Sequence, residues 1–301
     1  MARALARALV VLLVLLTLAC SREKADVQKG NAKRVVSISP STTEAVFAVG
    51  AGATLVGRSR YCDFPLEVKK LPQVGGYVDP SLEAILALQP DLVIGDRGPA
   101  GSAIADRLAA RGIGTYFPET TSFAAIDAMI VGIGDRTGHA ADARRVTESM
   151  SARLARIEKV VAPLPKTRVL LVFGLAPLSV TGPGSFADEM IRRAGGTNVI
   201  TEGGMYPAIG VERVLALDPD VIVNAAMMEE RASDRLSKDA PGWSRVRAVQ
   251  TDRVTSITDE AILRSGPRII DGLAMLARAL HPEAVRELEV ASSVTVGTGA
   301  P

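Results

Sequence analysis

The chain carries the same fifteen-residue pattern twice, and this duplication limits the architectures open to it. Residues 81–95 read SLEAILALQPDLVIG and residues 210–224 read GVERVLALDPDVIVN, with six of fifteen positions identical and most of the others apolar for apolar. Each copy begins as a helix with an apolar stripe, Ile85, Leu86 and Leu88 in one and Val214, Leu215 and Leu217 in the other. Pro90 and Pro219 then stop the helix, because proline bars the preceding residue from the α region. Leu92-Val93-Ile94 and Val221-Ile222-Val223 follow as short apolar runs, suited to strands buried on both faces of a parallel sheet. Two copies of a helix–strand unit imply two halves of like plan.

The flanking sequence extends that plan. Residues 34–39 (RVVSIS) open the first half as a strand, Ser41 or Thr42 can cap the helix that follows, and Glu44 suits its first turn. Residues 54–57 form a second short strand. Residues 168–173 (RVLLVF) open the second half, followed by a helix over 186–194 closed by Gly195-Gly196. Strands alternating with helices give an α/β fold: two Rossmann-like lobes, each with a central parallel-rich sheet. Between them, Val146, Met150, Leu154, Ile157 and Val161 recur at three- or four-residue steps. That spacing predicts one long amphipathic helix joining the lobes, ended by Pro163 and Pro165. The expected boundaries are an N-terminal lobe over 34–135, a bridging helix over 136–162, a C-terminal lobe over 163–290 and a disordered tail over 291–301. A helix over 267–280 closes the second lobe, with Ile269, Ile270, Leu273, Leu276, Ala277 and Leu280 on one face.

The first twenty residues set the expected compartment. Arg3 and Arg7 precede an apolar run that ends at Cys20 and is too short to span a bilayer as a mature helix. It reads as a signal peptide over 1–20. Leu16-Thr17-Leu18-Ala19-Cys20 resembles a bacterial lipoprotein cleavage box, which makes Cys20 the lipidation site. Ordinary signal-peptidase cleavage is the alternative. Several acyl chains on one cysteine give a stable membrane anchor, at roughly 0.8 kcal/mol per buried methylene. Residues 21–33 read as a flexible tether. The chain has 35 basic and 33 acidic residues, and losing Arg3 and Arg7 leaves it formally neutral. No basic stripe points to nucleic acid. Cys62 is the only cysteine after Cys20, so no internal disulfide forms.

Catalytic signatures are sparse. The two histidines, His139 and His281, lie at helix ends, away from any loop that would face an interlobe cleft. No His/Asp/Glu cluster suggests a metal site, and no nucleophile elbow or phosphate-cradling loop follows a strand. Binding is better supported. Of the eleven aromatic residues, Tyr61, Phe64, Tyr77, Tyr206 and Trp243 fall in predicted loops. Tyr77 lies six residues before Glu83 and Tyr206 six before Glu212, so the two rings hold equivalent places and would face each other across a cleft. Rings with polar tips suit a large, partly planar ligand. Glu83 and Glu212 sit in the first turn of equivalent helices. There they complement the helix dipole by roughly 0.3–1 kcal/mol. They also present matched carboxylates that paired arginines of a twofold-symmetric membrane partner could receive.

These residues carry a resemblance. RVVSISPSTTEAVFAVGAGATLVGRSRYCDFP (34–65) and VGGYVDPSLEAILALQPDLVIG (74–95) are similar to the first lobe of the cobalamin, iron-siderophore and haem class of periplasmic binding proteins. AGGTNVI, YPAIGVERVLALDPDVIV and RSGPRIIDGLAMLARAL are similar to its second lobe. Within the class the chain resembles the cobalamin-binding members most. The resemblance implies that Tyr61 packs on a corrin and that Tyr77 and Tyr206 replace ligand-facing tryptophans. Asp96 stands at another tryptophan position, a departure from the cobalamin pattern. Residues 260–264 match a ligand-contacting loop, with Glu260 and Arg264 at its ends; Arg264 would donate to corrin amides or pair with a haem propionate. The resemblance further implies that Glu83 and Glu212 dock on permease arginines. It implies a monomeric carrier for an ABC importer's permease dimer and ATPase, with no cofactor or metal of its own and a corrinoid as cargo. Haem or a ferric siderophore is the alternative cargo, and a chelatase-like two-lobed enzyme is the rival of another class.

Overall fold

The computed structural model describes residues 32–98, 101–226 and 236–293. The leader with Cys20, the tether up to residue 31 and the tail from residue 294 lie outside the described residues. No described helix is long and apolar enough to cross a membrane.

The first half runs β1 (Val35–Ser37), α1 (Pro40–Ala48), β2 (Leu55–Arg58), α2 (Leu82–Ala87), β3 (Leu92–Ile94), α3 (Gly101–Ala109) and β4 (Gly114–Tyr116). Its sheet has the order β2-β1-β3-β4 and is parallel throughout. Two helices, α4 (Phe123–Thr137) and α5 (Ala140–Val161), lead to the second half. There β5 (Thr167–Leu175), β6 (Leu178–Val180), α6 (Phe186–Arg193), β7 (Gly196–Asn198), α7 (Val211–Leu217), β8 (Val221–Asn224), α8 (Arg247–Gln250) and β9 (Val254–Ser256) precede the closing helices α9 (Ile269–Leu280) and α10 (Val285–Ser292). β6 pairs antiparallel with the end of β5, and every other pairing in this sheet is parallel. Setting β6 aside, the order β7-β5-β8-β9 reproduces that of the first sheet. The α/β architecture of two parallel-rich sheets therefore extends the repeat across both halves.

The Pro-Asp pair has a structural cause, and it is the same in each half. Gln89 (φ 47°) and Asp218 (φ 44°) turn the chain left-handed after α2 and α7. The Asp91 carboxylate then accepts the backbone N–H groups of Lys33 and Arg34 at 2.8 and 3.1 Å. Asp220 accepts that of Arg168 at 2.9 Å. Arg34 donates back to the Leu88 and Gln89 carbonyls, as Arg168 does to those of Leu217 and Asp218. Each arginine satisfies carbonyls that a helix end leaves without partners. Each aspartate locks the incoming strand to the start of the central one, setting Val35 beside Leu92 and Val169 beside Val221.

Three boundaries differ from the sequence expectation. The joining segment is two helices: Arg136 and Thr137 complete α4, and Gly138 adopts φ 80° and ends it. The 22-residue α5 begins at Ala140, is about 33 Å long, and buries Ala143, Met150, Ile157 and Val161. The described residues begin inside the expected tether, at Ala32, which is buried and donates its N–H to the Arg136 carbonyl at 3.0 Å. Residues 291–292, expected in a disordered tail, complete α10. Arg153 and Arg156 of α5 hold them by donating to the carbonyls of Ser292, Ala291 and Ser293.

Candidate functional site

In the order β2-β1-β3-β4 the chain leaves β1 toward one side and β3 toward the other, which opens a crevice at their carboxyl ends. Ser39, not Ser41 or Thr42, holds the N-cap position of α1 there, without a side-chain capping bond, and Pro40 occupies the first helical position. The Ser41 hydroxyl donates to Asp96 Oδ2 at 2.6 Å, and the Asp96 N–H donates to the Ser39 hydroxyl at 3.2 Å. Against this rim lies the segment before α9: a Cβ on Gly266 would stand 3.3 Å from the Ser41 Cα. A cavity of about 270 Å³ opens between the halves, bordered by Pro40, Ser41 and Asp96 on one side and Glu260, Arg264 and Ser265 on the other. Three residues singled out in the sequence, Asp96, Glu260 and Arg264, meet here from both halves.

The Asp96 carboxyl is lifted to about 6, because burial opposes its charge more than the Ser41 and Ser39 hydrogen bonds favour it. Its Oδ1 is closed off from water and has no hydrogen-bond partner among the described residues. Arg264, only 11% exposed, donates to Asp63 at 2.9 Å and pairs with Glu260 one helical turn earlier. Its Nη1 faces Glu44 at 3.8 Å without a hydrogen bond. Arg268 donates twice to the buried Glu44, at 2.8 and 2.9 Å, lies 4.1 Å above the Phe64 ring, and stands 3.5 Å from Asp259. One ionic network thus joins the halves beneath the cavity. Glu44, read from sequence as a first-turn helix residue, is its centre. Asp63 and Arg268 were not singled out, although a glutamate inside the small-residue run Ser41-Thr42-Thr43-Glu44-Ala45 was a signal for a buried partner.

Tyr77 is half-buried, and its phenol is pushed upward first by burial, then by the charge of Asp96, then by Tyr206 of the other half. It lies over Gly98, where any Cβ would collide with the phenol oxygen. Tyr206 stands edge-on to Phe173, with centroids 5.4 Å apart, and burial raises its phenol too. Tyr77 and Tyr206 are the sequence-equivalent rings of the two halves, and Tyr206 is 51% exposed. Tyr61 and Phe64 remain exposed on the same loop as Asp63, and Arg60 beside them is tied to Asp79 by two 2.9 Å hydrogen bonds.

Trp243 is not part of this assembly. Its indole is 8% exposed in the core of the second half, beside an apolar hollow lined by Leu175, Leu178, Val211 and Pro241. An indole on a short 3₁₀ turn against β5 and α7 gains more by burial than by facing the cleft. Glu83 and Glu212 are exposed in the first turns of α2 and α7, and neither makes an ion pair among the described residues. His139 donates to the Thr137 carbonyl at 2.9 Å, and buried His281 to that of Ala194 at 3.0 Å, so both histidines brace helix ends. Cys62 is buried, accepts a hydrogen bond from Thr43, and has its thiol raised by burial.

Comparison with known proteins places this geometry. A family model described as periplasmic binding protein matches residues 35–261. The uncharacterized ABC transporter substrate-binding lipoprotein YvrC of Bacillus subtilis is 30% identical over 86% of this chain and 83% of its own. A vitamin B12-binding protein of Salmonella typhimurium is 30% identical over 93% of this chain and 98% of its own. The crystal structure of a periplasmic haem-binding protein from Pseudomonas aeruginosa superposes with a TM-score of 0.75 at 32% identity, covering 84% of this chain and 94% of that one. The vitamin B12-binding protein BtuF of Vibrio cholerae, at 24% identity, shares the fold with a TM-score of 0.72, covering 87% of this chain and 98% of that one. With its two sheets of one topology and a cavity between them, the chain belongs to the periplasmic binding protein family.

Proposed function

We propose that this chain captures cobalamin or a related corrinoid between its halves and hands it to the permease and ATPase of an ABC importer. The observation that carries this reading is the cavity where Asp96 of one half meets Glu260 and Arg264 of the other, with the sequence-equivalent Tyr77 and Tyr206 in the loops that lead into α2 and α7. Ring faces suit a flat macrocycle, and the polar groups of the cavity, Asp96, Glu260 and Arg264, suit its peripheral arms. Vitamin B12-binding proteins among the relatives support the same ligand class. The carrier is exported by its leader, anchored through lipidated Cys20, and works as a monomer without chemistry of its own. Exposed Glu83 and Glu212 are its contacts with the permease.

Haem is the second reading, favoured by the likeness to the Pseudomonas aeruginosa protein. A ferric porphyrin would call on a tyrosinate ligand. Tyr61, Tyr77 or Tyr206 would then be the candidate iron ligand. The test is calorimetry and absorbance on residues 21–301 with cyanocobalamin, cobinamide, haemin and ferric siderophores. Saturable heat with a corrinoid is the expected result. A haemin Soret shift with no corrinoid heat overturns the ligand assignment.

A further inference from the structure

The first half carries an ion pair whose place folding stability does not explain. Arg60 and Asp79 meet in a two-pronged bridge, Nη1 to Oδ1 and Nη2 to Oδ2, each at 2.9 Å. Their side chains are 41% and 56% exposed, and a bridge so open to solvent adds little to stability. It joins two loops, each of which carries a tyrosine of the first half. Arg60 precedes Tyr61 and stands 5.7 Å from the centre of its ring. Asp79 belongs to a turn with Tyr77 and Val78 at its tip and Gly75 paired with Pro80 at its base. Inside that turn the Gly76 N–H reaches the Asp79 carbonyl only at 3.4 Å, and Gly75 adopts φ 103°. The loops also meet at their roots, where the Arg60 N–H donates to the Gly75 carbonyl at 2.8 Å. The bridge crosses directly over Gly76, where any Cβ would collide with Asp79 Oδ1 and Arg60 Nη1.

We infer that Arg60 and Asp79 are positioning residues, a clamp that fixes the Tyr61 and Tyr77 loops in one arrangement before the ligand arrives. The inference rests on the reading of the cleft as a macrocycle site and adds residues that act on the ligand through the two rings. A flat ligand meets both rings at once only while the loops keep that arrangement. A loop free to move must be ordered on binding, and the ordering lowers affinity. A bidentate guanidinium–carboxylate pair sets direction as well as distance, so it restrains the turn more than a point charge would. Because the bridge is exposed, salt screens it. The clamp's share of the affinity should therefore fade as ionic strength rises, even for a ligand without net charge.

The experiment titrates cyanocobalamin, which carries no net charge, into the wild-type chain, Arg60→Gln, Asp79→Asn and the exchanged pair Arg60→Asp/Asp79→Arg. Each single variant should lose about threefold or more in affinity while its urea midpoint moves little. The exchanged pair should return to within about twofold of the wild type, because the bridge forms again with its ends reversed. At about 1 M NaCl the wild type should weaken toward Asp79→Asn, which should not change. Smaller losses in the single variants, or an exchanged pair no tighter than they are, overturn the inference and leave the corrinoid reading intact. Amide hydrogen exchange at Arg60 and Gly76 in the ligand-free chain reads the clamp separately: Asp79→Asn should speed it about threefold or more with β1 and β3 unchanged. Equal rates overturn the inference whatever ligand binds. If the wild type takes no cyanocobalamin, the corrinoid reading fails and haemin replaces it in the same comparison of variants. If neither binds, both fall.

Discussion

Replacing Asp96 by asparagine should stabilise the folded chain at neutral pH and not in acid. Folding carries this carboxyl from an ordinary value near 3.9 to about 6. Below pH ~4 the group is protonated in both states and contributes nothing. Between pH ~4 and ~6 the folded chain binds the proton more tightly than the unfolded one, so stability falls as pH rises. Above pH ~6 the full penalty is present, and two pH units correspond to about 3 kcal/mol. Asparagine keeps the acceptor for Ser41 and cannot ionise, so it removes this penalty. The variant should match the wild type at pH 4 and exceed it by up to about 3 kcal/mol at pH 8. Urea unfolding of residues 21–301 at pH 4, 6 and 8, followed by far-ultraviolet circular dichroism, measures the difference at each pH. A variant weaker than the wild type at pH 8, or a difference that does not change with pH, would refute the assignment of burial as the cause.

Two further outcomes follow from the geometry. Arg268→Ala leaves Glu44 buried without its two-pronged partner, and urea midpoints should report a loss of about 3–5 kcal/mol; a loss below 1 kcal/mol would mean that Glu44 is hydrated or neutral in the folded chain. Replacing Glu83 and Glu212 together by alanine should leave ligand affinity unchanged and abolish uptake in cells carrying the cognate permease, measured with labelled ligand. A large drop in affinity would assign those acids to the cleft instead.

Much of the fold could be read because its signals are local. Pro90 and Pro219, the apolar runs after them and the glycines closing helices act within a few residues, and two copies of each reinforced the reading. The equivalence of Tyr77 with Tyr206 came from the same source, since a duplicated unit carries its loops with it. What escaped was set by distance or by competing signals. The partners of Glu44 and Asp63 lie 224 and 201 residues further along the chain, and no pattern in one sequence joins them. The break at Gly138 was hidden by apolar spacing that runs on through α5, although a glycine free to adopt φ 80° marks a helix end. Trp243 was misjudged because its flanking Pro241-Gly242 resembles an exposed loop, while the indole itself is drawn into the core.

The account stands on two equivalent tyrosines gripping one flat ligand. Equilibrium titration of the Tyr77→Ala/Tyr206→Ala double variant with the macrocycle that binds the wild type addresses this directly. Loss of both rings should weaken binding by a hundredfold or more, about 3 kcal/mol, with the circular dichroism spectrum unchanged. Affinity within about threefold of the wild type would mean that the ligand sits elsewhere.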